Sequence, residues 1–206
     1  MVELSSGFKR VFYGDLVFYV FSGVYEPSED TFLLADNLDV CDGEVVLDVG
    51  TGCGILAVLS AFKASWVLAV DINPSAVRCA RKNAETNDVL GKIDFICGDL
   101  FAPLRKGLVF DLVLFNAPYL PTEEEPKDWV EYAWSGGESG RRVLDRFLEN
   151  VSDHIKRGGR LLLVQSSLSN IEETLIKLGR KGFKAEVIDE VGAFFEVIAL
   201  IKAIKY

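Results

Sequence analysis

The sequence predicts an α/β protein built on a mostly parallel, doubly wound sheet. Apolar runs of strand length alternate with helix-length segments from residue 44 to residue 180, the pattern of consecutive βαβ units. The first of these strands opens into a glycine-rich turn, Asp48-Val49-Gly50-Thr51-Gly52-Cys53-Gly54. The chain closes with two β-rich segments that read as a hairpin, which places one antiparallel strand in the sheet. With 206 residues, half of them hydrophobic, the chain is expected to form one domain over 1–206. Residues 1–25 form an N-terminal hairpin extension in this division and 26–206 the core.

The elements follow in order. Residues 9–21 are rich in Val, Phe and Tyr around Gly14-Asp15, a β-hairpin signal. EPSEDTFLLADNL (26–38) has acidic residues in its first turn and then an apolar face, so a helix starts there. EVVLDV (44–49) is a buried strand, ILAVLSAFKA (55–64) a buried helix and WVLAVD (66–71) the next strand. A helix runs from Pro74, where proline fits the first turn, to about Asn87. KIDFIC (92–97) and VFDLVLF (109–115) are strands. Over 138–157, Val143, Leu144, Phe147, Leu148, Val151 and Ile155 share one face at helical spacing. RLLLVQ (160–165) is a strand and 168–180 an amphipathic helix. FKAEVIDEV (183–191) and FFEVIALIKA (194–203) form the closing pair, split by Gly192.

Bulk chemistry removes several classes of function. A net charge of −9 disfavours loose binding to nucleic acid or to an anionic membrane. Cys41, Cys53, Cys79 and Cys97 form no C-x-x-C pair and His154 is the only histidine, a pattern that fits neither a zinc site nor a disulfide framework. Free thiols without a secretory leader predict a cytoplasmic protein. The longest apolar run is too short to span a bilayer.

In a doubly wound sheet, ligands bind beyond the carboxyl ends of the strands. Three consecutive strands end there in Asp48, Asp71 and Asp99. The glycine loop lacks the third glycine of the dinucleotide fingerprint, because position 55 is Ile. A carboxylate-lined crevice repels a pyrophosphate and attracts a cation. S-adenosyl-L-methionine fits, since it carries a ribose for Asp71, an adenine, an ammonium group and a sulfonium. The fourth strand delivers Asn116-Ala117-Pro118-Tyr119 to the same crevice. A planar –NH2 group is a poor nucleophile because its lone pair is delocalised. Two acceptors on its two N–H bonds, the Asn116 side-chain oxygen and the Ala117 carbonyl, would free that lone pair. Tyr119 would stack on the planar group.

DVGTGCG, the two later acidic strand ends and Asn116-Ala117-Pro118-Tyr119 resemble the class I, Rossmann-like methyltransferases that methylate amino groups. VYEPSEDTFLL (24–34) and AWSGGESGRRVLDRF (133–147) narrow this to a resemblance with the HemK/PrmC family, in its short archaeal–eukaryotic branch. The resemblance runs from about residue 20 to 166. It implies methylation of the glutamine in the Gly-Gly-Gln loop of class I translation termination factors. It implies that Thr31 approaches the methionine part of the cofactor and that Asp48, Gly50, Gly52 and Gly54 line its pocket. Asp71 would hold the ribose, Asp99 and Leu100 would border the adenine, and Asn116 would touch cofactor and substrate. Asn116, Ala117, Pro118 and Tyr119 would form the substrate site. The family usually has Pro where this chain has Ala117, a departure that spares a main-chain acceptor; Pro118 still holds Ala117 extended. Members of the branch work as heterodimers with a small zinc-binding activator, and the edge strand 92–97 is the candidate contact. The chain has no room for the extra N-terminal domain of bacterial relatives.

Rival functions remain open at this point: methylation of an exocyclic amine of adenine or guanine, protein-lysine methylation, or a cofactor-binding scaffold of the translation machinery. Cys53 reads as a small buried filler. His154 reads as a helix-end or exposed imidazole, Glu123-Glu124-Glu125 as a solvated loop, and Arg78, Arg81 and Lys82 as a solvated helix face. Trp134-Ser135-Gly136-Gly137 is expected to shape the substrate mouth.

Overall fold

The computed structural model describes residues 8–193 and 195–206. Residues 1–7 of the predicted extension and Phe194 of the last predicted strand lie outside them. Strands β1 (Phe8–Tyr13) and β2 (Leu16–Phe21) form the antiparallel hairpin. Its two-residue loop, Gly14-Asp15, has Gly14 at φ +56°, the conformation a tight hairpin requires at its first loop position.

Helix α1 (Glu29–Asp36) leads into β3 (Val45–Val49), α2 (Ile55–Ala61), β4 (Trp66–Asp71), α3 (Pro74–Thr86) and β5 (Ile93–Cys97). Then come β6 (Phe110–Asn116), α4 (Trp129–Trp134), α5 (Arg142–Asn150), β7 (Ile155–Ser166), α6 (Ile171–Arg180), β8 (Phe183–Ala193) and β9 (Glu196–Lys205). The seven-stranded sheet has the order β5-β4-β3-β6-β7-β9-β8. In this sheet β9 runs antiparallel to both β7 and β8 while the other pairs are parallel, as the closing hairpin implied. The chain leaves β3 toward β4 and β5, then returns to place β6 on the other side of β3. That reversal opens the crevice at the carboxyl ends of β3 and β6.

The inner strands are apolar throughout because both faces are covered. Val46, Leu112, Leu114, Leu162 and Val164 face α1, α2, α3 and the hairpin. Leu47, Val49, Val113, Phe115, Leu161 and Leu163 face α5 and α6.

Two expectations shift. The helix expected over 138–157 ends at Asn150, passes through a 3-10 turn (Val151–His154), and gives way to β7. Ile155 pairs with Phe110, yet Leu112 pairs with Arg160, so residues 156–159 are absorbed in an irregularity that carries Gly158 at φ +76°. Apolar spacing continued past the helix because Ile155 serves the same core as a strand residue. Gly192 lies inside β8, paired with Val197, and the closing hairpin's last pair is Ala193 with Glu196.

The hairpin is fastened by two asparagines one turn apart, Asn83 on α3 and Asn87 at its C-cap. Asn83, fully buried, accepts from the Tyr19 N–H (2.8 Å) and donates to the Tyr19 carbonyl (2.8 Å). Asn87 makes the same pair of contacts with Val17, at 3.3 and 3.0 Å. The Asn83 amide also donates to the Cys53 carbonyl (2.7 Å), so one side chain joins the hairpin to the glycine loop. Asn83→Leu leaves these buried backbone groups unpaired and should cost about 1–3 kcal/mol. Urea denaturation followed by tryptophan fluorescence checks this; an unchanged midpoint would contradict the fastening role.

Candidate active site

A cavity of about 330 Å³ lies at the carboxyl ends of β3, β4 and β6, a volume suited to a small-molecule ligand. Thr31, Gly50, Gly52, Asp71, Asp99, Leu100, Asn116, Ala117, Pro118 and Tyr119 all line it. Asp48 and Gly54 do not. Gly54 (φ +85°) sits where an added Cβ would fall 2.7 Å from the Ala80 Cβ, so it lets α2 pack on α3. Gly50 (φ +68°) and Gly52 (φ +57°) keep the loop backbone bare toward the cavity.

The three acidic strand ends have different environments, and only Asp71 and Asp99 line the crevice. Asp48 is buried beneath the loop, where one oxygen accepts from the Thr51 hydroxyl (2.6 Å) and the other has no partner. Asp71 accepts from the Gly52 N–H (2.8 Å) and the Asn73 N–H (2.8 Å), so it braces the loop. Burial pushes its carboxyl up, against the pull of those two donors. Asp99 forms an ion pair with Arg146 across the cavity rim (2.5 Å). Next to it Leu100 has φ +47°, a left-handed conformation that costs an L-residue about 1–2 kcal/mol.

The fourth strand end is organised by a residue that sequence reading passed over. Asp30, in the first turn of α1, is 4% exposed. One of its oxygens accepts from the Tyr25 hydroxyl (3.2 Å), the Asn116 amide (3.1 Å) and the Tyr119 hydroxyl (3.2 Å). The other accepts from the Thr31 N–H (2.6 Å) and hydroxyl (3.1 Å). Thr31 Oγ1 also accepts from the Asn116 amide, at 3.2 Å. The Asn116 nitrogen is thereby committed, while its buried Oδ1 has no hydrogen-bond partner. Burial, then the Asp30 charge, hold the Tyr25 and Tyr119 phenols far above the ordinary range, so both stay protonated donors. The sequence signal for Asp30 was an acid placed where the helix N-terminus favours one. Its burial was not legible.

The segment after α4 holds the exit from β6. The Leu120 N–H donates to the Trp134 carbonyl (2.9 Å), the Gly136 N–H to the Leu120 carbonyl (2.8 Å), and the Thr122 N–H to the Gly137 carbonyl (2.9 Å). A Cβ on Gly140 would fall 2.4 Å from the Tyr119 carbonyl oxygen, and one on Gly136 would fall equally close to the Gly140 oxygen. Thus SGGESG packs directly on Tyr119-Leu120-Pro121. Trp129, Tyr132, Trp134 and Ser135 line the cavity, and Glu125 joins them through a two-point ion pair with Arg142 (2.8 and 2.9 Å). Arg78, Arg81 and Lys82 are exposed as expected. His154 is instead buried, stacked on Phe101 with ring centroids 4.8 Å apart, and Nδ1 bonds the Leu108 carbonyl (2.9 Å). Burial pushes the Cys53 thiol up to about 12, which makes it unreactive. Among the described residues no cluster of His, Cys, Asp or Glu could hold a metal ion, and no helix is long and apolar enough to cross a membrane.

A crevice at the switch point, a glycine loop, an acidic residue at the end of the second parallel strand and a lone antiparallel strand near the far edge define a class I, Rossmann-like methyltransferase. The chain belongs to the Methyltransferase small domain family, which it matches over residues 20–195. It is 41% identical over 183 residues to the putative protein N5-glutamine methyltransferase of Methanocaldococcus jannaschii, covering 87% of this chain and 91% of that one. Homo sapiens methyltransferase HEMK2 is 36% identical over 213 residues, covering 96% and 97%. Among solved structures, a chain of the E. cuniculi Mtq2–Trm112 complex, described as responsible for methylation of the eRF1 translation termination factor, superposes with a TM-score of 0.73 at 27% identity. That match covers 89% of this chain and 99% of the other.

Burial raises the Asp48 carboxyl to about 7, helped by the nearby Asp71 charge and opposed by the Thr51 hydroxyl. An acid that holds its proton more tightly folded than unfolded stabilises the fold at low pH, and the benefit is lost as pH rises. The window therefore runs from the unfolded value of about 4 up to about 7. Calorimetric melting across this window should show a downward slope that Asp48→Asn flattens. Parallel slopes in the two proteins would contradict the assignment.

Proposed function

We propose that the chain, acting as a single methyltransferase domain, uses S-adenosyl-L-methionine to methylate the side-chain amide nitrogen of the glutamine in the Gly-Gly-Gln loop of a class I translation termination factor. The observation that carries this reading is Asn116, which lines a ligand-sized cavity and whose buried Oδ1 has no hydrogen-bond donor. A buried acceptor without a donor is costly, and a substrate N–H removes that cost. The names of the relatives, protein-glutamine and termination-factor methyltransferases, support the same substrate class.

The donor set suits the cofactor. Each Asp71 oxygen holds one backbone donor and keeps a lone pair for a ribose hydroxyl. Gly50, Gly52, Asp99, Leu100 and Thr31 line the cavity; in this reading the glycines would admit close approach, Asp99 and Leu100 would border the adenine, and Thr31 would approach the methionine part. Asp48 and Gly54 act indirectly, through the shape of the loop. When bound, S-adenosylmethionine supplies an electrophilic methyl group on a positively charged sulfur. Asn116 Oδ1 and the carbonyl of Ala117, to which no described residue donates, take the two N–H bonds of the acceptor amide. That grip favours a pyramidal nitrogen with its lone pair free. The Tyr119 ring walls the site. The nitrogen gains the methyl and sheds one proton to water, since the two phenols already hold theirs. The exposed edge strand β5 is the surface offered to a small zinc-binding activator in a cytoplasmic heterodimer.

Incubating purified termination factor with the chain and S-adenosylmethionine, with and without activator, should add one methyl to the Gly-Gly-Gln peptide by mass spectrometry. An unmodified peptide in both arms would overturn the reading. Asn116→Ala should lower single-turnover rates by about 10²–10³ while cofactor affinity, measured by calorimetry, changes far less. Near-normal turnover would remove the two-acceptor mechanism.

A further inference from the structure

An asparagine amide can present either end to a cavity, and a methyl-acceptor site works only if the oxygen faces in. Thr31 cannot decide the matter alone, because a hydroxyl both donates and accepts. The Asp30 carboxylate can, because when ionised it only accepts. From these contacts we infer that Asp30 is the positioning residue of the methyl-transfer site. It holds the Asn116 carboxamide by its nitrogen, which leaves Oδ1 as the end available to the acceptor, and it sets a buried negative charge beside that amide. The inference rests on the proposed N-methylation and deepens it.

The geometry supports each part. Asp30 receives five donors at 2.6–3.2 Å, from Tyr25, Thr31 (twice), Asn116 and Tyr119. The carboxylate is therefore held in one orientation and is not free to bind substrate itself. The contact to Asn116 spans 86 residues of sequence, so it exists only in the folded chain. Hydrogen bonding of the amide nitrogen to a carboxylate polarises the carboxamide and enriches Oδ1, which makes it a stronger acceptor. As the C–S bond breaks its electron pair stays on sulfur, the N–C bond forms from the nitrogen lone pair, and positive charge builds on nitrogen before its proton leaves to water. The Asp30 negative charge, one hydrogen bond away from Asn116, stabilises that build-up.

The test is an exchange of the two side chains. Asp30→Asn places a group with both donor and acceptor ends beside Asn116, and the fixed orientation is lost. Asn116→Asp sets two acceptor-only groups against each other. In Asp30→Asn/Asn116→Asp the new amide donates to the new carboxylate, whose second oxygen is again the end available to the acceptor. Each single variant should lose at least about tenfold in kcat on the termination factor, and the double variant should recover at least about tenfold over the poorer single one. A residue that merely supports the fold predicts additive losses in the double variant, and that result would overturn the inference. Calorimetric S-adenosylmethionine binding reports whether each variant is folded. A second readout needs no turnover. The Asn116 side-chain amide protons of the parent protein should exchange slowly with solvent by NMR, and Asp30→Asn should abolish that protection. Fast exchange in the parent overturns the inference even if no variant folds. If the parent transfers no methyl to the termination factor while its Asn116 amide is protected through Asp30, the substrate reading fails and the positioning role stands.

Discussion

The carboxamide of Asn116 is tied at one end and free at the other. Its nitrogen lies between Asp30 and Thr31, and its oxygen is buried without a donor. Much of the surrounding structure can be understood as what it takes to maintain that asymmetry. Helix α1 must dock its first turn against the end of β6, and two tyrosines must keep their protons so that they donate to the same carboxylate. The stretch from Trp134 to Gly140 must then pack on the backbone just beyond Tyr119, where two glycines give the closeness a side chain would prevent. An unpaired buried acceptor is destabilising by itself. In the proposed reaction a substrate N–H relieves that cost.

The sheet supplies the other half. The reversal between β3 and β6 brings the glycine loop and the Asn116 strand end side by side, although they are more than 60 residues apart. Asp71 then braces the loop from the next strand by holding the Gly52 N–H. Asn83 connects that loop to the N-terminal hairpin, so the hairpin is a buttress of the crevice as well as a cover for α3. Loop, strand end and helix start meet at the crevice, and hydrogen-bonded side chains secure each junction.

Much of this was legible in the sequence because it is written in local patterns. Continuous apolar strands, proline at the start of α3, the Gly14-Asp15 turn and the glycine loop each have a near-neighbour signature, and each was found. The strand-end motif gave Asn116, Ala117 and Tyr119. Non-local burial could not be read. Asp48, Asp71 and Asp99 look alike in sequence, yet one is sealed under the loop, one braces it and one is paired with Arg146. His154 likewise sits against Phe101 because α5 ends earlier than its apolar spacing suggests. Asp30 escaped notice for the same reason. Its five donors come from two stretches of chain, 25–31 and 116–119, that are far apart in sequence.

The most direct measurement is a crystal structure of the chain with S-adenosylhomocysteine and a Gly-Gly-Gln peptide. The account predicts the glutamine amide nitrogen within hydrogen-bond distance of Asn116 Oδ1 and the Ala117 carbonyl, with the Asn116 nitrogen still held by Asp30. A glutamine bound elsewhere in the cavity, or an Asn116 carboxamide turned away from it, would contradict the account.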